Sequence, residues 1–408
     1  MFLCRARHRL SVIRCYRAYS TETDPYSSFQ KLRAYPFAFD ENDAKRLLAP
    51  AAAALCKENI ISSTLHRLLP WLEFKYLEPK RIVPVYFPAW IVDAEVESKV
   101  KYNGSEKVAV AQIQNGYLPG SDFQVVSSIP LFPNDLHQTT PLPWSEGLLN
   151  QKGQQITCLP FNIDPLQGLK AFSDAKFNSY PNLQCSMEGV QPRLAVFRPI
   201  LLPLYLAQYE TTGTEPGEKR ACTLFMDATD PMGTMYGVRV PTGYSDDWDE
   251  SLDNVAKVMK AYVAPNSDVL LFGSPNDWVS VETVSLVPHR EISTSLTDWI
   301  SHTMYESSTA SKLSAASSVT ADWDPRIREY DVEDRAEVEE WMGVGAELML
   351  VRRILERINE QMGLIGDDAP VHMRASIDHL ESKEKELKEK REELIPVWWK
   401  LHKPDLDQ

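Results

Sequence analysis

The sequence predicts an α+β protein: antiparallel hairpin sheets covered by helices, followed by a C-terminal α-helical hairpin. Three observations carry this. Apolar and polar residues alternate on both sides of Asn103-Gly104, the preferred dipeptide of a tight β-hairpin turn. Further strand-like segments recur as far as Val287. Beyond a Ser-rich stretch the apolar period then changes to heptads, running from Trp341 to Met362. Strands followed by a run of helices, without βαβ alternation, are the pattern of the α+β class.

The elements follow in chain order. Residues 1–19 carry Arg5, Arg7, Arg9, Arg14 and Arg17, and no acid occurs before Glu22. Leu3, Ala6, Leu10 and Ile13 would line one side of a helix there. This is the composition of a mitochondrial presequence, with Ser20 expected as the mature N-terminus. Asp40 can N-cap a helix with Asp43 in its first turn, and Pro50 suits the opening of a second, alanine-rich turn; helical pattern continues to Leu69. From Arg81 the period becomes two. Trp90, Val92, Ala94, Val96, Val100 and Tyr102 fall on one face of a long strand. Asp93, Glu95, Glu97, Lys99 and Lys101 fall on the other, which reads as a wet face. Val108, Val110 and Ile113 belong to the partner strand.

Later strands are expected at Phe123–Leu131, Leu201–Tyr209, Ala221–Asp227, Met235–Val240, Asp268–Phe272 and Trp278–Val287, with a turn at Asp230-Pro231-Met232-Gly233. Helices are expected at Asp249–Val263 and Leu296–Met304. Residues 306–325 have linker composition. The heptad helix is broken at Gly363, Gly366, Asp367 and Pro370. A second helix follows, with Met373, Ile377, Leu380, Leu387 and Leu394 on one side and Glu384 and Arg391 interrupting that seam. The domain plan is therefore a presequence (1–19), a globular body (35–305, read as one unit or as two related halves, 35–150 and 151–305), a linker (306–325) and a helical hairpin (326–400).

Bulk properties narrow the function. The formal charge is −14, and loss of five arginines and no acids with residues 1–19 takes it to −19. Such a chain repels phosphate, so no nucleic-acid partner is expected. No run of eighteen apolar residues occurs, so no membrane span is expected, although peripheral contact with an inner membrane stays open. Cys56, Cys158, Cys185 and Cys222 show no paired spacing of a zinc site and read as buried thiols.

Ile82-Val83-Pro84-Val85-Tyr86-Phe87 and Leu201-Leu202-Pro203-Leu204-Tyr205-Leu206 share one pattern, which leaves an internal duplication open. Pro84-Val85-Tyr86-Phe87-Pro88-Ala89-Trp90-Ile91-Val92-Asp93, together with Phe225–Gly233, Tyr236-Gly237-Val238 and Pro241, resembles a poorly characterised group often labelled replication-restart helicase-like or zinc-ribbon proteins. The likeness covers residues 35–241. The chain lacks the zinc ribbon and a phosphate-binding loop, and the resemblance implies no catalytic residue.

Candidate chemistry is sparse. Asp93, Glu95 and Glu97 could hold a divalent cation, but an exposed strand face explains them as well. His372 and His379, seven apart on a helix, are too distant to share one metal. Gly343-Val344-Gly345 lies within a helix, so it is no dinucleotide loop. We therefore expect no catalytic, cofactor or metal residue. The expected function is that of a non-enzymatic mitochondrial assembly, scaffold or accessory protein, in the matrix or on the matrix face of the inner membrane. It would bind a protein partner through the helical hairpin at Leu387, Leu394, Trp398 and Trp399. A metabolic enzyme whose site is assembled only by the fold is the alternative. A peripheral inner-membrane protein is the third reading.

Overall fold

The computed structural model describes residues 30–72, 74–102, 105–121, 140–159, 161, 163–166, 183–212, 219–229, 235–239, 269–272, 281–285, 324–365 and 371–402. The expected presequence, the strand at 123–131, the Asp230–Gly233 turn, the helices at 249–263 and 296–304 and nearly all of the Ser-rich stretch lie outside them.

Strands and helices are mixed as the α+β class requires. The strands are β1 (Arg33–Ala34), β2 (Arg81–Tyr102), β3 (Ser105–Pro119), β4 (Leu142–Pro143), β5 (Asn150–Gln151), β6 (Gln154–Gln155), β7 (Thr157–Cys158), β8 (Leu183–Thr212), β9 (Lys219–Asp227), β10 (Met235–Arg239), β11 (Val269–Phe272) and β12 (Val281–Ser285). The helices are α1 (Glu41–Cys56), α2 (Ile60–Leu68), α3 (Val332–Ile365), α4 (Val371–Glu393) and α5 (Val397–His402).

The chain forms two compact units that interleave along the sequence. The first draws on Met1–Pro88, Pro133–Pro160 and Leu201–Asn276; the second on Ala89–Phe132, Phe161–Ile200 and Asp277–Gln408. The long strands β2 and β8 contribute to both. These boundaries differ from the sequence-based plan of a body followed by a separate arm: the C-terminal helices share a unit with residues 89–132 and 161–200.

In the first unit, β8, β9, β10 and β11 pair in that order, antiparallel throughout, from Leu204↔Asp227 to Met235↔Phe272. Asp40 caps α1 as expected, its carboxylate accepting from the Asp43 amide at 2.9 Å. Pro50, however, lies inside α1 rather than opening a second helix. An interior proline removes a backbone donor and crowds the preceding turn, and the buried Leu48, Ala49, Ala51, Ala52 and Ala53 around it hold the helix together by packing.

In the second unit, β2 and β3 pair across the expected turn, closing at Tyr102↔Ser105, and β12 pairs with β3. The β2–β3 register shifts between Val92 and Ala94, where one residue of β2, Asp93, faces two of β3. Asn115 takes up this bulge with a left-handed φ of 52°. Helices α3 and α4 run antiparallel, as the cross-pairs Arg352–Glu384, Glu347–Lys383 and Glu340–Lys390 show. Val344, Leu348, Val351 and Leu355 of the expected heptad seam meet Leu387, with Ile377, Leu380 and Leu394 against them.

Candidate functional site

Among the described residues of the second unit, strand β2 carries a dense group of polar side chains, and here the expectation of a wet face is overturned. Trp90 and Ala94 are buried on one side, with the Trp90 indole donating to the Ile163 carbonyl at 3.1 Å and stacking at a tilt on Phe161. Asp93 and Glu95, on the other side, are buried as well; Glu95 has 0% exposure. A charge withdrawn from water needs both a counter-charge and hydrogen bonds. Each of the three carboxylates has its arginine. Asp93 pairs with Arg198, Glu95 with Arg391, and the half-buried Glu97 with Arg193. The face that could have held a cation is occupied by guanidinium groups.

The pairs are tied into a network. Arg198, itself fully buried, also reaches Asp334 at the start of α3 at 3.1 Å, and Arg328 closes on the other oxygen of that carboxylate. Asp93 accepts from the backbone amide of Asn115 at 2.6 Å. The Asn115 side chain in turn accepts from Arg335 at 2.9 Å. The bulge thus aims an N–H at Asp93 and a carbonyl at α3.

Around Glu95, Arg391 donates to both carboxylate oxygens at 2.6 Å. Gln112, its cross-strand neighbour on β3, donates to Glu95 at 2.8 Å and to the Met342 carbonyl at 2.9 Å. The Arg391 guanidinium lies over the Trp341 ring, 4.1 Å from its centroid. Gly345 makes this possible. A β-carbon there would stand 2.8 Å from the Arg391 terminal nitrogen, which Glu95 and Trp341 hold in place. The heptad interruptions thus have uses. Arg391 serves Glu95, and Glu384 accepts from Arg352 at 2.9 Å. Hydrogen bonding from Lys388 is the main cause that lowers the Glu384 carboxyl below its ordinary value, and Arg352 acts in the same direction.

The expected partner-binding residues lie in the unit's own packing. Trp398 and Trp399, the latter 3% exposed, join Leu194, Val196, Val338, Trp341 and Met342 in one cluster, with Leu394 packed against it. Their rings meet edge to face at 5.9 Å, and Arg328 sits over Trp398. Leu387 is buried in the α3–α4 seam. The expectation that this end of the helix is less well buried is therefore corrected: one face of β8 is apolar enough to take the tryptophans.

The first unit holds a second polar constellation, built on the repeated Pro-apolar-Tyr pattern. Tyr86 donates its hydroxyl to the Tyr35 carbonyl at 3.0 Å, and Tyr205 donates to the Phe39 carbonyl at 2.9 Å. Each also accepts from a glutamine of the β5–β6 hairpin: Gln151 to Tyr86 at 2.7 Å, Gln154 to Tyr205 at 2.6 Å. Lys152 and Gly153, both at positive φ, form the two-residue turn that presents the glutamines. Phe37 stands edge-on between the two rings. Burial pushes both phenols well above their ordinary value, and the glutamine hydrogen bonds pull the other way. At neutral pH they are donors that fix residues 35–39.

The remaining expected features are simpler. The buried thiols of Cys56 and Cys222 lie 3.6 Å apart. His66 stacks on Tyr76 and His379 is exposed. Gly343 and Gly345 lie within α3. Among the described residues no helix is long and apolar enough to cross a membrane. Comparison of the chain with protein-family models, curated proteins and solved structures finds no match in any of the three.

Proposed function

We propose that the chain is a non-enzymatic mitochondrial assembly, scaffold or accessory protein that acts through protein–protein contacts of the α3–α4 pair. The arginine-rich, acid-free segment 1–19 supports the compartment, in the matrix or on the matrix face of the inner membrane. The observation that carries the mode of action is the position of Leu350 and Ile354. Both are exposed, one helical turn apart on α3, on the side away from the seam formed by Val344, Leu348, Val351 and Leu355. They stand outside the buried residues of that seam, while the buried Arg391–Glu95 contact and the tryptophan cluster fix α3 and α4 in place. A rigid helix that exposes apolar anchors close to Arg353 and Arg357 in sequence has the chemistry of a protein-docking face.

Native electrophoresis of detergent-solubilised mitochondria tests this. The wild-type chain should migrate in an assembly larger than itself, and Leu350→Glu/Ile354→Glu should migrate free with an unchanged melting curve. Wild-type migration as a free chain, or an assembly indifferent to the double substitution, would refute the reading.

A further inference from the structure

Helix α2 is amphipathic with its apolar side turned outward. Ile61, Leu65 and Leu68 recur at helical spacing along one face. Ile61 is 78% exposed and Leu68 64%. The opposite face carries the buried Ser63, whose hydroxyl accepts from the Leu77 amide at 3.2 Å, and His66, whose ring stacks on Tyr76. Beyond the helix the apolar surface continues through Trp71, 72% exposed, and the exposed Leu72. Ile60 adds to it at the other end. A solvent-facing run of this kind on a folded protein marks a surface that something covers.

We propose that this face lies on a bilayer containing anionic phospholipid, with Ile61, Leu68, Trp71 and Leu72 entering the boundary between headgroups and acyl chains. Three features favour lipid over a protein groove. The outward stripe carries one polar side chain, Thr64, and its hydroxyl is already given to the Ile60 carbonyl at 2.8 Å. Protein interfaces instead use hydrogen bonds regularly across their area, about one per 100–200 Å². Trp71 stands at the edge of the aliphatic stripe, the place indoles take at a membrane interface. The charges at the two ends also suit anionic headgroups. Lys57 and Lys75 are exposed and Arg67 is half-buried. The acids of residues 57–75 are Glu58, half-buried, and Glu73. The segment is thus net basic within a chain of charge −14. Lysines can lie along the apolar surface and reach phosphate with their ammonium groups. At nine residues α2 is far too short to span a bilayer, so it would lie in the plane of the surface.

Flotation of the purified full chain with vesicles tests this independently of the α3–α4 reading. With equimolar phosphatidylcholine and phosphatidylglycerol the chain should float, and with phosphatidylcholine alone it should float less. Leu68→Glu/Trp71→Glu should reduce the floated fraction at least tenfold while keeping the wild-type melting curve. Leu350→Glu/Ile354→Glu should float like wild type. Ile61→Ser serves as a milder second variant and should weaken binding in the same direction. The proposal fails if the wild-type chain does not float, or if the Leu68/Trp71 variant floats equally well. It also fails if the wild-type chain is a dimer that this variant makes monomeric, since a second copy would then be the occupant. Loss of folding in both α2 variants would overturn it too, because the face would be structural.

Discussion

A carboxylate with no exposed surface is stable only while its counter-charge stays in place, and Glu95 depends on Arg391 in this way. Glu95→Ala leaves a buried guanidinium without its partner, so it should destabilise the chain by about 3–5 kcal/mol in urea melts. Glu95→Leu/Arg391→Met should lose much less, because it removes both charges together. Glu97→Ala, at a half-exposed pair, should cost about 1 kcal/mol or less. Equal losses for Glu95→Ala and Glu97→Ala would mean that Glu95 sees water. This part of the site was only half legible in the sequence. A strand facing a helix that carries arginines shows the same alternation as a strand facing water. The alternation of Asp93, Glu95 and Glu97 could therefore not tell the two apart. The sign lay elsewhere, in Arg198 within an apolar run and in Arg391 at a heptad seam position. A charge in either place must find an opposite charge. The sequence does not say which one.

Asn115 sets the local geometry of the β2–β3 pair. Its left-handed backbone lets two residues of β3 face Asp93, and both its amide and its side chain are used there. Asn115→Gly keeps the backbone accessible but loses the bond to Arg335. Asn115→Val loses that bond and adds about 1–2 kcal/mol of left-handed strain. Melting temperatures should therefore fall in the order wild type, Gly, Val; a Val variant as stable as Gly would show that the bulge relaxes freely. Other features of these elements were readable beforehand. Asp40 and Asp43 marked the start of α1, Asn103-Gly104 marked the β2–β3 turn, and the heptads marked α3. Pro50 was misread as a beginning because the local rule for proline is strong, whereas the alanine packing that overrides it is tertiary. The outward face of α2 escaped notice for a related reason: Ile61, Leu65 and Leu68 announce an amphipathic helix without saying which side meets the protein.

At the scale of the whole chain, deletion of residues 386–408 separates the two domain plans. A detachable arm would leave the remainder intact. The structure instead places Leu387, Arg391, Trp398 and Trp399 inside the second unit, so the truncated chain should lose the near-UV circular dichroism and protease resistance of that unit. A truncated chain that melts like wild type would refute this. The interleaved units were not legible because each joins segments far apart in sequence, and no local period records such a joining. Glu95 and Arg391 are 296 positions apart. That separation has a temporal meaning. A chain made, or threaded through a pore, from its N-terminus presents Glu95 long before its answering arginine. Asp93 and Glu97 meet Arg198 and Arg193 sooner, but Glu95 waits for Arg391, and the second unit cannot close around it until α4 is present. Completion of this unit therefore depends on α4. Its vulnerable interval is the wait for α4, when a holding chaperone would matter most.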